Sequence, residues 1–446
     1  MPKRILYLLF FCLPAQAGAQ HVINIDATLL PGKKTLAIKQ QITYKNTSVD
    51  TLRELYLFDW ANSFSTKTSP LGKRFAENYD SSFHFEKEED RGRTTIEKIY
   101  GTAKNPLQWQ RGDEVDILKI ITQTPILPGE SYTFNLEYAV KVADSKFTRY
   151  GVDKNGNYKL RYWYISPAVY NGQWQVYSNK NIDDLYLTPS EFSVSLHFPK
   201  NYSLTSDLDL LDESSFQNTK SIALAGKERT SATIYLEKIP TFETIETDKL
   251  QVITNIQNSK VNPPVQALLI DRIAHFLDER LGPYPFEKMV ISETDYKTNP
   301  VYGLNQLPRF ISPFPDGFEY DMEQLKTITR NYIDNTLIMN SRDDYWLQDA
   351  LQIYLMMEYV DTYYPKMKII GNLSNWWIIR WAHAADLEFN DQYPILYLNM
   401  ARNNIHQALT TPKDSLLKFN MNIANGYYGA SGLRYLNDYL GDGVVN

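Results

Sequence analysis

The sequence predicts a multidomain protein of the α and β class, in which an all-β domain precedes a mixed α/β domain. Runs rich in β-branched residues dominate from His21 to about Phe242. Helical spacing of apolar residues dominates after residue 320. The 446 residues, of which 43% are hydrophobic, are enough for two or three cores. We place the domains at residues 20–245 and 246–446, after a signal peptide at residues 1–19.

The N-terminus has the pattern of a secretory signal peptide. Lys3 and Arg4 form a positive end, residues 5–13 form an apolar run, and residues 17–19 (AGA) form a small-residue cleavage pattern. The apolar run is too short to span a bilayer. We therefore expect an exported protein that is periplasmic or extracellular.

Composition excludes several classes of function. Cys12 is the only cysteine and lies in the signal peptide, so the mature chain cannot use disulfides or thiol catalysis. The formal net charge is −6 and becomes more negative without Lys3 and Arg4, which argues against a nucleic-acid partner. No later segment approaches eighteen uninterrupted apolar residues, so we expect no transmembrane segment.

Strand-like segments follow one another through the first domain, separated by turn residues such as Pro31-Gly32 and Pro128-Gly129. No clear helical periodicity interrupts them, so we expect no helix inside this domain. The predicted strands are residues 22–27, 36–44, 118–122, 132–142, 159–164, 192–198 and 231–236.

The second domain starts with strand and helix signals and becomes mostly helical. Residues 250–254 and 290–291 predict strands, and residues 264–281 predict a helix that ends at Gly282-Pro283. A helix follows Met322, and another, with Ser341 and Asp344 as a capping box, carries Asp349. The last residues from 435 onward predict a helix and its exit.

Six segments, in order, resemble peptidase family M1, the alanyl-aminopeptidase type of gluzincin. The resemblance covers nearly the whole mature chain and implies an N-terminal β-saddle domain followed by a thermolysin-like domain. The matching segments are residues 161–170 (RYWYISPAVY) for W-x-P, 281–286 (LGPYPF) for the entry turn, 302–306 (YGLNQ) for G-x-M-E-N, 346–351 (WLQDAL) for W-L-N-E-G, 428–430 (YGA) for K-G-A and 440–442 (LGD) for L-G-D.

The family binds zinc through H-E-x-x-H-x18-E, and this chain departs from that motif. Matching Asp349 to the last Glu puts Lys326 and Arg330 at the two His positions and Thr327 at the general base. Lys and Arg are cations at neutral pH and cannot coordinate zinc, and Thr is no proton acceptor. No His-x-x-x-His occurs anywhere in the sequence, so we expect no catalytic residue, no bound metal and no cofactor.

The carboxylate of the family's last Glu is kept in this chain as Asp349. Asp349 shares a helix face with Ile353 and Met357, which predicts that it is largely buried. A buried charge needs a partner. We therefore expect an ion pair with Arg330 or Lys326 in place of the metal; the alternative is that Asp349 reaches solvent.

The family's other site positions are altered as well. Its substrate-binding Glu corresponds to Asn305 or Gln306, after Gly303, so an amide replaces the group that holds a peptide amino terminus. A turn stabilised by Asn305 is the alternative reading. The transition-state Tyr corresponds to Gly426, with Tyr427 beside it.

Three hypotheses for function follow. The first is a pseudopeptidase that binds a peptide, protein or glycan in the inter-domain cleft without hydrolysis. The second is a divergent but active zinc metallopeptidase with other ligands, for which His383, Asp386 and His406 are candidates. The third is a structural envelope component whose cleft is filled.

Overall fold

The first domain is built from strands. The structure is a computed structural model and describes residues 20–304, 313–375 and 386–441. The strands are β1 (His21–Leu30), β2 (Thr35–Lys45), β3 (Leu52–Phe58), β4 (Arg93–Gly101), β5 (Trp109–Arg111), β6 (Ile117–Ile126), β7 (Ser131–Lys141), β8 (Gly151–Val152), β9 (Tyr158–Leu160), β10 (Ser166–Pro167), β11 (Val169–Tyr170), β12 (Trp174–Gln175), β13 (Ser190–Pro199), β14 (Ser203–Ser206), β15 (Asp209–Phe216), β16 (Thr219–Arg229) and β17 (Ile234–Glu237).

A seven-stranded sheet forms the main layer, in the order β15-β16-β13-β1-β2-β7-β4. Its neighbours pair antiparallel except β1 and β13, which run parallel. Two four-stranded sheets, β10-β3-β6-β5 and β14-β17-β9-β8, complete the domain with the hairpin β11-β12. Alternate residues of β1, including Ile23, Ile25 and Ala27, face the core. This period of two is the one that the sequence predicts.

Two helices interrupt the strands, so the expectation of a helix-free first domain is wrong. They are α1 (Pro70–Glu77) and α2 (Ser145–Thr148). The Ser69 hydroxyl caps α1 by accepting a hydrogen bond from the Gly72 N–H, at 3.1 Å. Only Leu71 and Phe75 form its apolar stripe. A helix of this length gives too little periodicity to be recognised in the sequence.

The second domain begins with a small mixed sheet, in which β18 and β19 pair antiparallel and β19 and β20 pair parallel. A helical crossover joins the parallel pair. The elements are β18 (Glu243–Glu246), β19 (Gln251–Thr254), α3 (Pro263–Leu281), β20 (Lys288–Ile291), α4 (Glu293–Thr298), α5 (Asp316–Thr336), α6 (Tyr345–Tyr363), α7 (Gln392–Arg402) and α8 (Asn425–Leu440).

The predicted helices of the second domain form with small differences. Helix α3 ends at Gly282, whose positive φ of 79° is a backbone conformation that glycine adopts readily because it has no Cβ. Leu268 of this helix is 68% exposed although it is apolar. Asp344 precedes α6 but makes no side-chain capping bond, so the predicted capping box is absent. Among the described helices, none is long and apolar enough to cross a membrane.

A buried polar network joins the two domains. Arg342, just before α6, has Nη2 at 3.0 Å from Asp184 Oδ1 and Nη1 at 2.8 Å from Asp414 Oδ2. Its Nη1 also donates to the Ser178 carbonyl at 2.9 Å. From the β domain, Arg74 donates to the Leu416 carbonyl at 2.9 Å. These contacts position the helical domain against the β domain.

Candidate functional site

Helices α5 and α6 carry the residues that the sequence resemblance assigns to the family's metal-binding positions. Lys326, Thr327 and Arg330 lie on α5, and Asp349 lies on α6. Most of α5 is buried between neighbouring elements. Lys326 and Asp349 are each only 4% exposed, so the burial predicted for Asp349 is confirmed.

Lys326 is a cation that faces the inter-domain cleft from a buried helix. Burial lowers the pKa of its ammonium from 10.5 to about 8. Arg330 acts in the same direction as burial, and Asp349 opposes both. The backbone carbonyl of Lys326 accepts a hydrogen bond from the Gln352 side chain at 2.6 Å, which connects α5 to α6.

Arg330 is part of a closed polar triad with Asp334 and Gln348. Its Nε lies 3.0 Å from Asp334 Oδ1, and its Nη2 donates to Gln348 Oε1 at 2.9 Å. The Gln348 amide in turn donates to Asp334. The charge of Arg330 is therefore compensated directly by Asp334 on its own helix, whereas Asp349 acts on it only from a greater distance.

The Asp349 carboxylate has no direct partner within the described ranges. No cation there lies within 4.0 Å of it, and no side chain or backbone N–H donates to it. The expected ion pair with Arg330 or Lys326 is therefore wrong at the level of direct contact. Burial raises the pKa of Asp349, while the more distant charges of Lys326, Arg330 and Lys413 oppose the rise.

Asp349 points toward α8, because Gly426 leaves room for it. A Cβ atom at residue 426 would overlap the Asp349 oxygen Oδ2. Residue 426, which the resemblance assigns to the family's transition-state Tyr, therefore cannot carry a side chain without moving Asp349. Tyr427 is buried in the second core, with its ring edge-on to Tyr393 at a centroid distance of 4.8 Å. Burial raises its pKa well above the ordinary value.

The substrate-loop positions are described only at their start. Gly303 has a φ of 93° in a turn between Tyr302, which lines the cleft, and the buried Leu304. Asn305 and Gln306 lie outside the described residues.

The cleft lies between the two domains and has a volume of about 230 Å³. Helix α5 contributes Lys326, Thr327 and Arg330 to its wall, and Tyr345 and Lys413 come from later parts of the second domain. From the β domain, the lining residues include Arg161, Tyr162, Asp183 and Tyr186. Asp349 lies behind this wall, against α8.

The opposite wall is a polar cluster that also bridges the domains. Arg161 Nη1 lies 3.7 Å from Asp183 Oδ1 and 3.8 Å from Asp295 Oδ1. The Tyr150 hydroxyl donates to Asp295 Oδ1 at 2.7 Å, and the Tyr235 hydroxyl donates to Ser292 Oγ at 3.0 Å. Strands of the first domain and the start of α4 are held together in this way.

Sequence reasoning missed many residues of this cleft, among them the charged residues Asp183, Asp295 and Lys413. Asp295 had a local signal, because Ser292-x-x-Asp295 is a capping-box pattern and both of its bonds are present at the start of α4. Asp183 lies in an irregular segment and Lys413 begins a short 3-10 helix (Lys413–Ser415), and no motif surrounds either residue. Only the tertiary fold brings them to the cleft.

The residues at the family's metal positions do not fit a zinc ion. Zinc is bound by thiolates, imidazoles and carboxylates. Asp349 is the one such group here, and Lys326 and Arg330 would repel a dication. Within residues 20–304, 313–375 and 386–441, no three His, Cys, Asp or Glu side chains come together to hold a metal. Of the alternative ligands, His383 lies outside these ranges, and His406 packs edge-on to Tyr397 at 6.2 Å.

Comparison with solved structures finds this architecture in zinc metallopeptidases. An M1 zinc metallopeptidase from Deinococcus radiodurans matches with a TM-score of 0.56 and 13% identity, covering 96% of this chain and 85% of that chain. A mutant M1 zinc metallopeptidase from Deinococcus radiodurans, bound to a Tyr-Ser-Ala substrate, matches with a TM-score of 0.57, 12% identity and the same coverage. No protein-family model matches the sequence, and no curated protein is similar to it.

At these identities the likeness concerns the fold alone. The mixed α/β architecture, with its large β-sheet region at the N-terminus, matches the two-domain M1 metallopeptidase structures over almost the full chain. The chain therefore has an M1-peptidase-like fold.

Proposed function

We propose that this chain is an exported M1-like pseudopeptidase that binds a peptide, protein or glycan in its inter-domain cleft and does not hydrolyse it. One observation carries the proposal. The helix that would supply two zinc ligands and a general base presents Lys326, Arg330 and Thr327 to the cleft instead.

Hydrolysis by this scaffold requires an activated water, and the residues at these positions are poorly suited to activate one. The Thr327 hydroxyl donates to the Glu323 carbonyl at 2.8 Å and has no basic character. Lys326, with a pKa of about 8, is mostly protonated at pH 7 and is then no base. Arg330 is permanently charged.

Binding is favoured over a purely structural role because the cleft has a volume of about 230 Å³. Tyrosine rings line both sides, and such rings suit contacts with peptide groups or sugar faces. They are Tyr150, Tyr162, Tyr186, Tyr235, Tyr302 and Tyr345.

A mixture of short peptides with free amino termini tests the proposal. We expect peptides to bind the purified mature protein, detected by native mass spectrometry, and to be recovered intact after prolonged incubation with added zinc. An M1 aminopeptidase under the same conditions is the positive control. Progressive loss of N-terminal residues, abolished by a chelator, would show that the chain is a peptidase.

A further inference from the structure

Two buried lysines face the cleft without an acceptor among the described residues. Lys326 is 4% exposed and Lys413 is 7% exposed, and both line the cleft. In the part of the chain that the structure describes, neither Nζ atom donates a hydrogen bond or lies within 4.0 Å of a carboxylate. The contact identified for Lys413 Nζ is with the Tyr345 ring, at 4.7 Å from its centroid.

The nearby carboxylates are engaged elsewhere or turned away. Asp334 pairs with Arg330. Asp184 accepts from Arg342 at 3.0 Å and from Asn181 at 2.8 Å. Asp349 is turned toward Gly426 on α8. Within residues 20–304, 313–375 and 386–441, no acceptor therefore satisfies the two ammonium groups on the cleft wall.

A buried ammonium group with three N–H donors and no acceptor is costly unless a partner arrives from outside the chain. Burial lowers the pKa of both lysines, which is consistent with their lack of direct partners. The other two cations of the cleft differ in this respect. Arg330 has Asp334, and Arg161 has Asp183 and Asp295 within 4.0 Å.

We propose that the cleft binds an anionic oxygen group of its ligand, a carboxylate or a phosphate, which accepts hydrogen bonds from Lys326 while Lys413 adds positive charge to the same wall. This inference rests on the proposed function, because it names the ligand chemistry of the same cleft. An anion thus occupies the region in which the family's scaffold holds a cation.

Calorimetric titration of the mature wild-type protein tests the inference with three probes. They are inorganic phosphate, N-acetyl-trialanine with a free C-terminal carboxylate, and the same peptide as its C-terminal amide. Acetylation removes the amino charge, so the two peptides differ only in the anion. We expect the free acid to bind roughly 10-fold or more tightly than the amide, as charge-assisted hydrogen bonds provide. The tighter of phosphate and free acid identifies the preferred anion.

Variants locate the site. Lys326→Met is expected to reduce the affinity for the free acid or phosphate by roughly 10-fold, and to leave the amide unchanged, because only the anion contacts the ammonium. Lys413→Met is expected to act in the same direction through longer-range charge. Lys366→Met, on an exposed surface away from the cleft, is the matched control and is expected to bind like the wild type.

The wild-type comparison does not depend on how the variants fold. Equal affinity of the acid and amide peptides, together with no binding of phosphate, overturns the anion site and leaves a non-hydrolysing cleft intact. Cleavage of either peptide overturns the proposed function, whereas the acid-to-amide affinity ratio still decides the anion site.

Discussion

At the scale of single residues, Lys326 is the most unusual group of the cleft. Its pKa falls from 10.5 to about 8, chiefly because burial disfavours the charged form. Each pKa unit corresponds to about 1.4 kcal/mol, so holding this ammonium in the folded state costs roughly 3 kcal/mol at neutral pH. A cost of this size is expected at a position that binds a ligand and not at one that serves stability alone.

The pH dependence of stability follows from this shift. Between the folded pKa, about 8, and the unfolded value, 10.5, the unfolded chain binds more protons, so stability rises with pH in that window. We expect the wild type to gain about 2 kcal/mol from Lys326 between pH 7 and pH 9.5. The Lys326→Met variant should lack this gain and should be more stable than the wild type at pH 7. Urea unfolding of the two proteins at pH 7 and at pH 9.5 measures the free energies. If the free energies of unfolding of the two proteins changed with pH in parallel, the lowered pKa of Lys326 would be contradicted.

The sequence correctly predicted the burial of Asp349, but the direct ion pair that it predicted with Arg330 or Lys326 is wrong. Burial follows from helical spacing, because Ile353 and Met357 share its face and enter the core. The direction of the carboxylate depends on how closely α8 approaches α6, a tertiary distance that no local pattern records. For the same reason the pairing of Arg330 with Asp334, one helical turn further along α5, was overlooked although both residues were visible.

At the scale of elements, the crossing of α6 and α8 depends on small residues. Gly426 lies against Asp349, and Gly429 lies against Ala350, so that a Cβ atom at either glycine would overlap its neighbour. Gly432, on the same helix, has no heavy atom within 4 Å of a Cβ position. The two kinds of glycine offer a matched comparison within one helix.

We expect Gly426→Ala to destabilise the protein by about 1–3 kcal/mol, because the added methyl group displaces the buried Asp349 carboxylate. Gly432→Ala should instead stabilise the helix by up to about 1 kcal/mol, because alanine has the higher helix propensity. Chemical denaturation of the two variants and of Gly426→Ala with Asp349→Ala provides the measurement. Equal effects of the two single substitutions would show that α8 does not approach Asp349 this closely.

Long elements with sustained periodicity were predictable, and short ones were not. Helices α3 and α5 follow from their apolar spacing, and the long strands β1 and β2 follow from alternation. Helix α1 was not predicted, because a segment of eight residues with two buried apolar side chains has the same sequence pattern as a loop. Its serine cap was the available signal.

At the scale of the whole molecule, Arg342 couples the two domains. Its side chain is 6% exposed and contacts Asp184 of the β domain and Asp414 of the helical domain. We expect Arg342→Met to cost about 3–5 kcal/mol, because it leaves Asp184 buried without its charge partner. Arg434→Met removes a pair with Asp361 in which the side chains are 42% and 45% exposed, so this control should cost less than about 1 kcal/mol. Thermal unfolding followed by tryptophan fluorescence and by circular dichroism compares the variants. Equal and small losses of stability in the Arg342→Met and Arg434→Met variants would show that Arg342 does not couple the domains.

The overall architecture could be predicted from the order of the motifs along the chain, whereas many of the residues that line the cleft could not be predicted. The segments at residues 161–170, 281–286 and 346–351 indicated an M1-like fold, which solved structures support. Three residues that line the cleft, Asp183, Asp295 and Lys413, lie more than one hundred positions apart in the chain. Domain packing brings these residues together, and the spacing of residues within each segment of the sequence does not indicate it.

Elemental analysis of the mature protein as purified, together with an aminoacyl-fluorophore assay, tests the central claim most directly. The account predicts far less than one zinc ion per chain and no turnover, with or without added zinc, because the resemblance assigns Lys326 and Arg330 to the positions of two imidazole ligands. One tightly held zinc ion per chain, with hydrolysis that a chelator removes and zinc restores, would contradict it.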